Sequence, residues 1–131
     1  MQIKLTSVFV DDQDKALKFY TGVLGFQKKH EFSAGTYKWL TVVSPEEPEG
    51  VQLVLEPNGG YNPAAKTYQQ EIFQHGIPAA NFFVADVQKE YERLKQHGVT
   101  FTKEPTKTTG STIAILDDTC GNLIQITHLD W

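Results

Sequence analysis

Six side chains first suggest chemistry in this chain: His30, His75, His97, His128, Cys120 and Glu56. No two histidines have the spacing of a metal motif, and none has a nucleophile beside it. His75 and His97 each stand just before a glycine at the end of a helical stretch, where a partly cationic ring suits the helix dipole. His30 lies in the polar run "QKKHEF" and is expected in solvent. Cys120 lies in the turn "DDTCGN" and is expected at the surface, with no helix N-terminus or histidine to make it a thiolate. Being single, it forms no internal disulfide. "NGG" at Asn58–Gly60 is too short for a phosphate loop and reads as a turn. Glu56 ends an apolar strand; enclosed there it could act as a general base, and otherwise it is an exposed strand-end carboxylate. Phe9, Tyr37, Trp39 and Phe83 are candidate ligand walls or plain core. The face taken by Trp39 is open, because Tyr37–Val43 is apolar on both sides.

These residues sit on a pattern written twice. "SVFVDDQDKALKFYTGVLGF" (7–26) returns as "NFFVADVQKEYERLKQHGVTF" (81–101). In the first copy, Leu5–Val10 alternates as a strand. Asp11 or Asp12 caps a helix, and Ala16, Leu17, Tyr20, Val23 and Leu24 line one helical face. Gly25 ends the helix. Strands follow from Phe26, over Tyr37–Val43 and, past the turn "SPEEPEG", over Val51–Glu56. The second copy predicts a strand over Ala79–Val84, a helix capped by Asp86 with Val87, Tyr91 and Leu94 on one face, and Gly98 at its end. Strands over Val99–Thr102, Ser111–Leu116 and Asn122–His128 complete it, with Gly121 free to take a positive φ. Both copies read β-α-β-β-β. The offset between them is 74 residues at Val10/Val84, 73 at Gly25/Gly98 and 71 at Gly50/Gly121, a drift that short loop deletions produce.

The chain has 131 residues, 40% hydrophobic and 21% charged, an ordinary globular balance. One domain over 1–131 is expected: module one 1–58, a connector 59–77 with a short helix over Pro63–His75, and module two 78–131. A net charge of −4 gives no basic footprint for nucleic acid. No apolar run approaches the ~20 residues of a membrane span, and "MQIKLTSVFV" lacks the features of a signal peptide, so a cytoplasmic location is expected.

The entry "FVDDQDKALKFYTGVLGF" and the exit "DDTCGNLIQI" resemble the vicinal oxygen chelate family, which includes glyoxalase I, extradiol dioxygenases, and bleomycin- and fosfomycin-resistance proteins. The resemblance covers nearly the whole chain. It implies an α+β fold in which two βαβββ modules pair their curled sheets into a cup, within one chain or by exchange in a homodimer. Strand alternation then turns Leu5, Ser7, Phe9, Gln52, Val54 and Glu56 to the cup from the first module. Ala79, Asn81, Phe83, Leu123, Gln125 and Thr127 face it from the second.

Enzymes of that family hold a divalent ion with one ligand from each of four strands. The resemblance puts those positions on Leu5, Val54, Ala79 and Gln125, three of which have no donor atom. Zinc, nickel, manganese and iron need lone pairs from several such groups. The expectation is therefore a metal-free protein without a cofactor. It binds an unidentified small organic molecule in the cup through Ser7, Phe9, Gln52, Asn81, Phe83, Gln125 and Thr127. The alternative is an enzyme, a lyase or isomerase with Glu56 as base, or one whose metal ligands lie elsewhere.

Overall fold

The computed structural model describes residues 1–60 and 62–131. It divides into two compact units, Met1–Gln69 and Gln70–Trp131.

In the first unit, β1 (Leu5–Val10) leads into α1 (Gln13–Lys18) and a π turn (Phe19–Val23). Then come β2 (Gln27–Ala34), β3 (Tyr37–Val43) and β4 (Gln52–Pro57). The sheet order is β1-β4-β3-β2, with β1 parallel to β4 and the other neighbours antiparallel. Asp12 is the N-cap, its carboxylate accepting the Lys15 N–H at 2.9 Å. The helix face seen in the sequence is completed by Phe19, buried beside Tyr20 in the π turn, where the Leu24 N–H reaches the Phe19 carbonyl at 3.0 Å. Alternation fixes the two sheet faces. Val8, Val10, Leu40, Val42, Leu53 and Leu55 are buried on one face, and Gln13 and Asp14 of α1 bond to strand groups there.

The second unit repeats the order: β5 (Ala80–Phe83), α3 (Val87–Gln96), β6 (Phe101–Thr108), β7 (Ser111–Asp117) and β8 (Leu123–Leu129). Its sheet runs β5-β8-β7-β6, with β5 parallel to β8. Asp86 caps α3 by accepting the Lys89 N–H at 3.1 Å. The core is Val87, Leu94, Ala114, Leu116, Ile124 and Ile126, all buried. Tyr91 packs edge-on against Phe101 at 4.7 Å. The two registers correspond: Ser7 pairs with Val54 in the first sheet and Asn81 with Gln125 in the second. These are the sequence offsets of the duplication.

Two expectations change in this unit. β6 does not stop at Thr102 but continues through Pro105 to Thr108. An edge strand tolerates a proline where a ladder bond is missing, and the register slips there between Lys103 and Thr106. Cys120 is not at the surface but fully buried. The turn curls around Asp118, whose Oδ1 accepts the N–H groups of Cys120 at 2.7 Å and Asn122 at 3.0 Å. Thr119 and Gly121 supply the positive φ values, 64° and 99°, that this curl requires.

α2 (Pro63–Gln74) joins the units and carries the boundary between them. It turns Ala65 and Gln69 inward. The Gln69 amide donates to the Phe9 carbonyl at 3.0 Å and accepts from the Asn58 amide at 2.7 Å.

Candidate functional site

The expected site residues lie on the sheet faces opposite the helices. In the first unit, Leu5, Ser7 and Phe9 of β1 pair with Gln52, Val54 and Glu56 of β4, so all six share one face. Thr41 pairs with Val54, which settles Trp39: with Tyr37 and Val43 it alternates onto this same face. Pairing of Trp39 with Phe32 and of Thr41 with His30 adds those two side chains. His30 is therefore not simply in solvent; it is half-buried, its ring 5.6 Å from that of Phe32.

Along β3 this face is graded. Thr41, Val43 and Val54 are buried, and the Thr41 hydroxyl donates to the Gln52 amide oxygen at 2.8 Å. Towards the other end Tyr37 and Trp39 are each 37% exposed and Phe32 is 56% exposed. Glu56 is half-buried and makes no ion pair with another described residue.

The exposed end is also where the sheet divides. β3 and β4 are paired at Thr41–Val54 and Val42–Leu53 and no further. Beyond that point β4 stays with β1 as far as Val10–Pro57, and β3 stays with β2 as far as Tyr37–Ala34. The Gln13 amide fills the fork from the helix side. Its nitrogen donates to the Lys38 and Leu55 carbonyls, each at 2.9 Å, and its oxygen accepts the Lys38 N–H at 3.0 Å. One side chain thus satisfies backbone groups that a continued ladder would have paired. Sequence reasoning missed Phe32, His30 and Gln13. The first two needed the β2–β3 register. Gln13 carries no signal beyond being an amide at a helix start.

In the second unit Asn81 and Phe83 of β5 pair with Gln125 and Thr127 of β8. Here the polar groups bond one another. The Gln125 amide donates to the Thr127 hydroxyl at 3.2 Å, and that hydroxyl donates to the Asn81 amide oxygen at 2.7 Å. Thr127 is buried, Gln125 half-buried, and Phe83 is 62% exposed. β7 and β8 pair without interruption from Ser111–Leu129 to Asp117–Leu123, so this sheet has no fork. His128 lies on the opposite face, where its Nδ1 accepts the Val87 N–H at 2.9 Å at the start of α3.

The side chains at the four positions that the resemblance assigns to metal ligands do not fit a divalent ion. Leu5, Val54 and Ala79 offer no lone pair, and the neutral Gln125 amide alone is a weak ligand. Among the described residues, no three His, Cys, Asp or Glu side chains are grouped to hold one.

YurT, an uncharacterised protein of Bacillus subtilis strain 168, is 60% identical over 126 residues, 96% of this chain and 98% of its own. The crystal structure of UcmS2 superposes with a TM-score of 0.82 at 33% identity, covering 100% of this chain and 98% of that one. TnmS3, an antibiotic binding protein from Streptomyces sp. CB03234, gives a TM-score of 0.77 at 25% identity, covering 98% and 96%. Residues 2–126 match the profile of one family from the first strand to the last. With its repeated βαβββ units and their shared register, this chain belongs to the Glyoxalase/Bleomycin resistance protein/Dioxygenase superfamily.

Proposed function

We propose that this chain is a metal-free small-molecule-binding protein working in the cytoplasm. Its organic ligand is held against the sheet faces opposite the helices. Ser7, Phe9, Gln52, Asn81, Phe83, Gln125 and Thr127 are the contacts. One observation carries this reading: those faces bear aromatic rings, amides and hydroxyls, while the four positions that the resemblance assigns to metal ligands hold Leu5, Val54, Ala79 and Gln125. Polar groups on an otherwise apolar surface give a ligand its orientation, and the rings give it area. The antibiotic-binding activity named for TnmS3 supports the same class of function.

The enzymatic alternative places Glu56 as a general base. Its support is a half-buried carboxylate without an ion-pair partner among the described residues.

The test is a thermal-shift screen of organic compounds, followed by calorimetry and by elemental analysis of protein purified without chelator. Binding of a compound unchanged over hours, to protein without stoichiometric transition metal, is the expected result. One tightly held metal ion per chain, or turnover abolished by Glu56→Gln, would replace binding with catalysis.

A further inference from the structure

The two units are repeats, yet only the first has a forked sheet, and the fork lies where its exposed aromatic side chains are. We infer that this fork is the specificity-determining end of the binding site, and that it takes a flat aromatic ring bearing a positive charge. The inference rests on the small-molecule-binding reading and narrows it to a ligand class.

The argument begins with Glu56. It sits on β4 at the fork, paired in register with Phe9 of β1. A half-buried carboxylate keeps only part of its hydration, and no lysine, arginine or histidine among the described residues lies within ion-pair distance to replace it. Two lysines of the same sheet are engaged elsewhere. Lys38, next to Trp39 in β3, turns to the helix face and binds Asp14 at 2.6 Å and Glu31 at 2.9 Å. Lys28 also binds Glu31, at 2.9 Å.

Across the fork, β3 presents Trp39 and Tyr37 on the Glu56 face, and β2 adds Phe32 beside Trp39. Exposed tryptophan and phenylalanine side by side offer a stacking surface for a planar group, and a cation over a tryptophan face gains further attraction. The Gln13 amide, spending both its nitrogen and its oxygen on backbone, holds the two lips apart without adding charge. A ligand cation is the missing partner of Glu56, and the net charge of −4 favours its approach. The second unit has no counterpart: the position matching Glu56 is Thr127, whose hydroxyl is committed to Asn81.

The experiment uses two probes with the same three-ring skeleton, cationic proflavine and uncharged acridine, in mildly alkaline buffer. Both are titrated against wild type and Glu56→Gln, with Trp39→Leu as a further variant. Proflavine should bind wild type about tenfold more tightly than acridine, the worth of one charge-assisted contact. Glu56→Gln should remove that preference while leaving acridine within about twofold. Trp39→Leu should weaken both. Independently of any variant, proflavine binding to wild type should weaken as salt is raised and acridine binding should not. Equal affinity of the two probes, or a preference that survives Glu56→Gln, overturns the inference. So does failure of both probes when other compounds bind in the screen, a result that leaves the small-molecule reading standing. If no compound binds at all, that reading falls together with the inference.

Discussion

Thr127 stands between two amides, accepting from Gln125 and donating to Asn81. The two bonds differ in worth. The Gln125 bond is long, 3.2 Å, and its donor is half-buried; Gln125→Leu should cost under about 1 kcal/mol in a denaturant melt. Thr127 is 4% exposed, and Thr127→Val leaves the Asn81 oxygen to find water, for a cost of about 1 kcal/mol. A larger loss from Gln125→Leu than from Thr127→Val would show that this network is held mainly from the Gln125 end. Asp118 is a stronger case. It is fully buried and accepts from the N–H groups of Cys120 and Asn122 and from the Asn122 side chain at 2.8 Å. Asp118→Ala strands these donors and should destabilise the chain by about 2–4 kcal/mol, read from the shift in the urea midpoint. A loss below about 1 kcal/mol would mean the turn keeps its shape without the carboxylate.

Elements are fastened by charge as well as by core. Lys38 of β3 reaches Asp14 at the start of α1 and Glu31 of β2, so one ammonium ties a helix to two strands. Hydrogen bonds from Lys38 and then Lys28 hold the Glu31 carboxyl below its usual range. The bonds to Asp14 and then Glu31 push the Lys38 ammonium above its own. For Glu31 the folded value is the lower one. Its contribution is present above the unfolded value and is lost as pH falls through the folded value. For Lys38 the folded value is the higher one, so its contribution persists below the unfolded value and is lost only as strong alkali passes the folded value. In thermal melts across pH, Lys38→Met should therefore flatten the acid arm of the stability curve, and added salt should mute the difference. An unchanged acid arm in Lys38→Met would remove this network from the acid response. The sheet edges are treated unequally. β2 and β6 carry lysines and register slips, which discourage pairing with other chains. β1, "LTSVFV", and β5, "ANFF", carry no charge, no proline and no recorded slip.

At the scale of the whole molecule, those two plain edges motivate a prediction about assembly. A chain of 14.7 kDa is expected to form a homodimer at micromolar concentration, by light scattering across a dilution series. A steady monomer mass throughout would refute it. A charge on the plain edge, Thr6→Lys, should shift the equilibrium towards monomer if β1 is in the interface. Among the described residues, no helix is long and apolar enough to cross a membrane. The order of elements, the duplication, the Asp86 N-cap and the sorting of strand residues into two faces were legible in the chain, whereas the choice of Asp12 over Asp11 for the first N-cap came from the fold. The reason is that period, cap chemistry and glycine placement are local and were written twice, each copy checking the other. Local pattern could not say which face Trp39 takes, since both sides of its strand are apolar; pairing with Phe32 and Thr41's register to Val54 decided that. Nor could it show that Cys120 is drawn inward, because the pull comes from a buried carboxylate two residues away organising the turn. The fork lay furthest from view. It depends on one amide from a helix replacing ladder bonds between two strands, with Gln13 and Leu55 separated by 42 positions, and only the folded chain brings those groups within bonding distance.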